Sequence, residues 1–85
     1  MAHTGNMFLP AHSRAGRALL QWTQEALAKK AGISLSALRA FERERSNTYA
    51  SNLNAIETAL RGAGIELIDE PGVVGVKLHQ KKGRK

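Results

Sequence analysis

Two helix starts stand close together at Thr23 and Ser34, with Gly32 between them, and this arrangement constrains the fold more than any other feature of the chain. Thr23 suits an N-cap, since its hydroxyl can accept a free N–H of the first helical turn. A full capping box is missing, because Ala26 stands where Glu or Gln would be needed. Trp22 before the cap and Leu27 at the fourth helical position offer a hydrophobic staple instead. The helix so begun runs from Gln24 to about Ala31, and Gly32 ends it, glycine being the residue that best tolerates the left-handed conformation. The pattern then repeats. Ile33 precedes the cap Ser34, Leu38 takes the fourth position, and a helix is expected from Leu35 to about Glu44, with Leu38 and Phe41 on its apolar face.

For two such helices to cross steeply, the residue one turn before the glycine must be small, and Ala28 is. The turn must bury an aliphatic residue just after the glycine, and Ile33 is there. The second helix must then point inward every three to four residues, as Leu38 and Phe41 do. This is the geometry of a helix-turn-helix, whose second helix can lie in the major groove of DNA.

The flanks read in the same terms. Pro10 fits the first turn of a helix, where its missing N–H is not needed, and Ala15, Ala18, Leu19 and Trp22 follow at helical spacing, predicting a helix over 10–21. After a polar connection over 45–49, a fourth helix starts near Ser51, with Leu53, Ile56, Ala59, Leu60 and Ala63 on one side and Gly62 and Gly64 closing it. The period then changes. Residues 65–69 and 73–78 are short and partly β-branched, with Glu70-Pro71-Gly72 as a turn between them, which reads as a β-hairpin. The expectation is one mainly α domain: a loose segment over 1–9, a bundle of four to five helices over 10–64, a C-terminal β-hairpin over 65–78 and a disordered basic tail over 79–85.

Composition removes several classes of function. With no cysteine among 85 residues there is no disulfide scaffold, thiol chemistry or cysteine-ligated zinc. His3, His12 and His79 are scattered without metal-ligand spacing, and His12 reads as an ordinary surface histidine. No nucleophile–base–acid set stands out, so no enzyme, metal or cofactor is expected. No apolar run approaches a membrane span or a signal peptide, which predicts no membrane partner and, for a bacterial source, a cytoplasmic, nucleoid-associated protein. The net charge of +6 is striped: +4 over residues 1–45, −3 over 46–70 and +5 over 71–85. Basic excess attracts polyanions by releasing their counterions. For the tail alone, a solubilising charge run is an equally good reading.

The segment 24–43 resembles the phage-repressor and Cro class of bacterial regulators, the XRE family. Leu27, Ala28, Ala31, Gly32, Ile33, Leu38 and Phe41 all stand where that motif wants small or apolar residues, and Trp22-Thr-Gln-Glu-Ala-Leu-Ala28 is a characteristic opening. The likeness extends over about residues 14–63 and implies a lambda-repressor-like bundle that binds double-stranded DNA. It implies base reading from the start of the third helix, by Ser34, Leu35, Ser36, Arg39 and Ala40, with arginine suited to guanine and small apolar groups to a thymine methyl. It implies phosphate contacts from Gln24, which also braces the recognition helix, and from Asn47 and Tyr49 in the loop after the third helix. By position and charge Thr23, Lys30, Arg43 and Arg45 are further phosphate candidates, with a plain N-cap for Thr23 and solvated charges for Lys30 and Arg45 as equally good readings. Arg17 and Glu42 occupy the positions of a structural ion pair. One departure is visible: where the family usually turns with Asn-Gly after the third helix, this chain continues Arg43-Glu-Arg45.

The reading that results is a sequence-specific transcriptional regulator, expected to repress as a homodimer. The hairpin is its dimerisation element, because its apolar residues exceed what one small face of the bundle needs. The alternatives are the antitoxin of a toxin–antitoxin pair, with a toxin as protein partner, or an interaction module that keeps the fold without reading DNA.

Overall fold

Helix boundaries in this protein follow from local chemistry. The computed structural model describes residues 8–43 and 48–80. Within them lie α1 (Pro10–Leu20), α2 (Gln24–Ala31), α3 (Leu35–Glu42), α4 (Ala50–Gly62), β1 (Ile65–Leu67) and β2 (Val76–Leu78). Pro10 opens α1. The helix closes on Gln21, in the left-handed region at φ 61°, with Gln21 N–H donating to Ala18 O (3.2 Å) and Trp22 N–H to Arg17 O (2.9 Å). That is a Schellman closure built on a glutamine where glycine is usual. Thr23 Oγ1 accepts the Ala26 N–H at 3.0 Å, and Ser34 Oγ accepts the Ala37 N–H at 3.1 Å, so both anticipated caps are present. Gly32 ends α2 with φ 73°.

The core lies between the four helices, two of which, α1 and α4, also pack against the strands. Leu27 of α2, Leu38 of α3 and Ile56 and Leu60 of α4 are fully buried, joined by Phe41, Ile65 and Leu67. Truncating a buried leucine of this kind to alanine costs about 2–5 kcal/mol. The mainly helical bundle with a C-terminal hairpin is thus the fold anticipated, with four helices among the described residues.

Several details differ from expectation. Phe8 is not part of a loose segment: it is 8% exposed and stacks on Phe41 with ring centroids 5.6 Å apart. An aromatic ring two residues before a helix start can fold back onto the core, and no periodicity announces it. His12 is not on the surface either; it is 3% exposed and stacks on Phe8 at 6.0 Å. Its Nδ1 accepts the Leu9 N–H at 2.9 Å, satisfying one of the orphan donors at the start of α1. α3 ends at Glu42 instead of Glu44. At its C-terminal end, Arg14 Nη1 donates to the Glu42 carbonyl.

The hairpin is shorter in regular strand than the expected 65–69 and 73–78. Ile65 pairs with Leu78, Glu66 with Lys77 and Leu67 with Val76, antiparallel. A separate bridge joins Glu70 to Val73 in the same register. Pro71 and Gly72 make the turn, with the Val73 N–H on Glu70 O at 3.0 Å and Gly72 at φ 78°. Proline then glycine at positive φ marks a type II turn, which matches strand twist less well than the primed turns; between it and the paired strands the Ile68 N–H still donates to Gly75 O at 2.9 Å. The tail does not begin at residue 79, since the His79 N–H donates to Gly64 O at 2.8 Å. β1 lies beside α4 and β2 against α1.

Candidate nucleic-acid interface

The position of α3 is set by one buried carboxylate. Leu38 and Phe41 anchor its apolar side, and Glu42, 3% exposed, fixes its end. Arg17 Nη2 stands 2.8 Å from Glu42 Oε1, and Arg17 Nε reaches both carboxylate oxygens at 3.2 and 3.0 Å. Ser13 Oγ donates to Glu42 Oε2 at 2.5 Å, and Gln24 Nε2 donates to Oε1 at 3.1 Å. Burial alone would push this carboxyl up, but the hydrogen bonds from Arg17, Ser13 and Gln24, with the Arg17 charge, outweigh it. They hold Glu42 below the ordinary carboxylate range, so it is ionised at neutral pH. Arg17 Nη1 also donates to Trp22 O at 3.3 Å, tying the same network to the α1–α2 turn. One carboxylate therefore joins α1, the start of α2 and the end of α3.

With that side engaged, the opposite side of α3 faces out. Ser36, Arg39 and Arg43 are exposed and Ala40 is half-buried. These four residues line an open groove of about 240 Å³. Ser36 and Arg39, and Ala40 and Arg43, are each three residues apart, so their side chains stack along one helical face. The groove therefore carries two guanidinium groups, one hydroxyl and one methyl. These supply a bidentate donor for guanine, a donor or acceptor for several bases, and apolar contact for a thymine methyl.

The other anticipated contacts fall in different places. Leu35 is half-buried and packs against the core, which corrects its assignment to the outward face. It precedes Leu38 by three residues, a spacing that puts both on the same side. Ser34 and Thr23 are exposed but already accept their cap hydrogen bonds. Gln24 is half-buried and holds Glu42, at the first position of α2. The Lys30 ammonium lies 5.1 Å from the centroid of the Trp22 ring. It lines a separate groove with Trp22, Thr58, Ala59, Gly62 and Ala63, between α2 and α4. Tyr49 precedes α4 and is 78% exposed. Arg45 and Asn47 lie outside the described residues.

Two arrangements were not anticipated from sequence. Ser13 is fully buried yet reads as a neutral helix residue; its signal is the four-residue spacing to Arg17, which aligns both on one face. His79 and Glu66 meet across the hairpin at 2.5 Å, and hydrogen bonding from His79, with the nearby Lys77 charge, holds the Glu66 carboxyl down. Among the described residues no cluster of His, Asp and Glu is arranged to hold a metal ion, and no helix is long and apolar enough to cross a membrane.

A helix-turn-helix family model of the XRE type matches residues 14–67. That span holds α2, Gly32, α3 and the Arg17–Glu42 pair, and the chain belongs to this family. It is a DNA-binding helix-turn-helix regulator, of a family defined by DNA binding and not by catalysis. No curated protein sequence matches the chain significantly.

Proposed function

We propose that the protein is a sequence-specific repressor that binds a palindromic operator as a homodimer and acts by where it sits. The observation that carries this reading is the groove of Ser36, Arg39, Ala40 and Arg43 on an α3 held by buried Glu42. A side chain reads a base only if its helix is held rigidly enough for bidentate geometry to discriminate. Arg39 and Ser36 serve as the base-reading pair, and Arg43, nearer the helix end, meets phosphate. Thr23 and the free N–H groups at the start of α2 take a second phosphate, because a helix N-terminus favours anions.

The hairpin supports the dimer. Val73 and Val74 are 43% and 57% exposed, and Val76 and Leu78 are only half-buried. A two-stranded ribbon with an apolar, unpaired margin is seldom stable alone. Joined through the hairpins, two recognition helices would meet successive major grooves about 34 Å apart. Such a regulator works in the bacterial cytoplasm, at the nucleoid.

Site selection from a random duplex library, followed by titration of the recovered site against random DNA at several salt concentrations, tests the reading. The expected result is an inverted-repeat consensus bound at least a thousandfold more tightly than random duplex, the usual lower margin for specific binders. Recovery of no consensus, with equal affinity for all duplexes, would overturn sequence-specific repression.

A further inference from the structure

An antiparallel pair of strands leaves half of its backbone groups unused. Two bonds settle which half is unused in this hairpin: Ile68 N–H to Gly75 O at 2.9 Å and His79 N–H to Gly64 O at 2.8 Å. Alternation makes Glu66 and Lys77 the hydrogen-bonded pair between them. The N–H and C=O of Val76 and Leu78 therefore turn away from β1, toward the open side of β2. Continuing the register to the Glu70–Val73 bridge turns those of Val74 the same way. The side chains of Val74, Val76 and Leu78 also share the face that Ile65 and Leu67 bury, by the two-residue period of a strand. Coverage fails along that row. Ile65 and Leu67 are 3% and 6% exposed, Val76 and Leu78 are half-buried, and Val74 is 57% exposed. Unused hydrogen-bonding groups and uncovered apolar side chains coincide on one margin.

Building on the homodimer reading above, we propose that β2 pairs antiparallel with β2 of a second copy in a single register, with the two-fold axis at Val76. Val76 then faces Val76 of the second copy, and Val74 of each copy faces Leu78 of the other. Every uncovered position of the row gains an apolar neighbour. Two alternatives lie nearest: an axis at Gly75 would set Leu78 opposite Gly72, without an apolar neighbour, and Lys77 selects against the other. An axis at Lys77 would set two ammonium groups directly opposite each other, which destabilises a strand pair. An axis at Val76 sets each Lys77 opposite Gly75 of the second copy, where there is no side chain. An axis at Leu78 would leave Val74 bare. Charge agrees with the choice: the end of β2 that carries Lys77 and His79 runs beside the second copy's hairpin tip, which carries Asp69 and Glu70. The product is a four-stranded sheet with the well-covered β1 strands outermost.

The chain has no cysteine, so one introduced thiol reports its own position. Residues directly opposite in a hydrogen-bonded pair have Cα atoms about 5.5 Å apart, inside the span a disulfide bridges. In the proposed register the two copies of residue 77 are about 8 Å apart and those of residue 78 about 14 Å, from strand rise and spacing. Val76→Cys, Lys77→Cys and Leu78→Cys chains are each oxidised with copper phenanthroline and resolved on non-reducing gels, while the wild-type chain is sedimented. A mixture of Val74→Cys and Leu78→Cys chains gives a second measurement that leaves Val76 intact. The expected result is a wild-type dimer, efficient linkage of Val76→Cys, little of Lys77→Cys or Leu78→Cys, and linked heterodimers in the mixture beyond either parent alone. A wild-type dimer in which Lys77→Cys or Leu78→Cys links best, or in which neither Val76→Cys nor the mixture links, overturns the register and leaves the homodimer standing. A wild-type monomer at tens of micromolar overturns both.

Discussion

Arg17 and Glu42 tie α1 to the end of α3, with Nη2 and Oε1 2.8 Å apart and the glutamate side chain 2% exposed. A pair this buried gains little net stability from Coulomb attraction, because desolvating two charges offsets most of it. Its consequence is positional. Glu42 also holds Ser13 and Gln24, so the exit of α3 cannot move without disturbing α1 and α2 together.

Removing the carboxylate should therefore cost far more than the pair contributes. Glu42→Ala leaves Arg17 and buried Ser13 without their partner, and a loss of about 3–5 kcal/mol is expected. Glu42→Gln keeps an acceptor and should cost less. Urea denaturation followed by circular dichroism measures both. A loss below about 1 kcal/mol for Glu42→Ala would mean that the network is incidental to holding α3.

Two buried groups set the acid response, in separate windows. Burial lowers the His12 pKa from its ordinary 6.5, against a smaller raising effect of Glu57. The unfolded chain therefore binds a proton that the folded chain refuses, and stability should begin to fall as pH drops below about 6.5. Glu42 is also held down, from 4.5, so its contribution is intact above that value and is lost at lower pH. Stability against pH should decline in two stages. His12→Asn keeps an acceptor near the Leu9 N–H but does not titrate, so it should abolish the upper stage alone. Thermal melts between pH 2 and 8 would show it, and an unchanged upper stage in the variant would assign that stage to another group.

The helix-turn-helix frame was legible because its signals are local. A cap hydroxyl, a glycine turn and a three-to-four-residue apolar period act within a few residues of themselves. Thr23, Gly32, Ser34, Leu38 and Phe41 all do so. What escaped depends on contacts distant in sequence. Phe8 is core only because Phe41 lies over it, and Ser13 is a network member only because Glu42 arrives beside it. Leu35 was misplaced for a different reason. It begins the helix on the side of Leu38, and its nearness to the cap residue Ser34 masked that period.

Two left-handed residues should respond in opposite directions to substitution. Gln21 closes α1 at φ 61°, where a side chain costs about 1–2 kcal/mol relative to glycine. Gln21→Gly should stabilise by about 0.5–1 kcal/mol, after allowing for glycine's freedom in the unfolded chain. Gly64 sits at φ 107°, and a β-carbon there would lie 2.7 Å from the His79 carbonyl oxygen. Gly64→Ala should destabilise by more than about 1 kcal/mol and loosen the hairpin, since the obstacle is backbone that also carries the His79 N–H to Gly64 O bond. Denaturation midpoints that move the same way for both variants would count against this account of the two sites.

The readout prediction is the most direct test of how α3 docks. Leu38 and Phe41 point into the core, so Arg39 projects from the opposite side, beside Ser36 and one turn before Arg43. Its guanidinium has the fork geometry that matches guanine O6 and N7. Arg39→Ala should then lose about 1–3 kcal/mol on the selected operator and relax preference at one base position in each half-site, with a much smaller effect on random duplex. Arg43→Ala should behave differently. A phosphate contact carries no sequence information, so affinity for operator and random DNA should fall together, with a shallower salt dependence. Selecting sites from a random library with wild type and both variants separates the roles. If Arg39→Ala recovers the wild-type consensus at full stringency while Arg43→Ala loses a base preference, the two arginines have exchanged roles and the C-terminal end of α3 lies deeper in the groove.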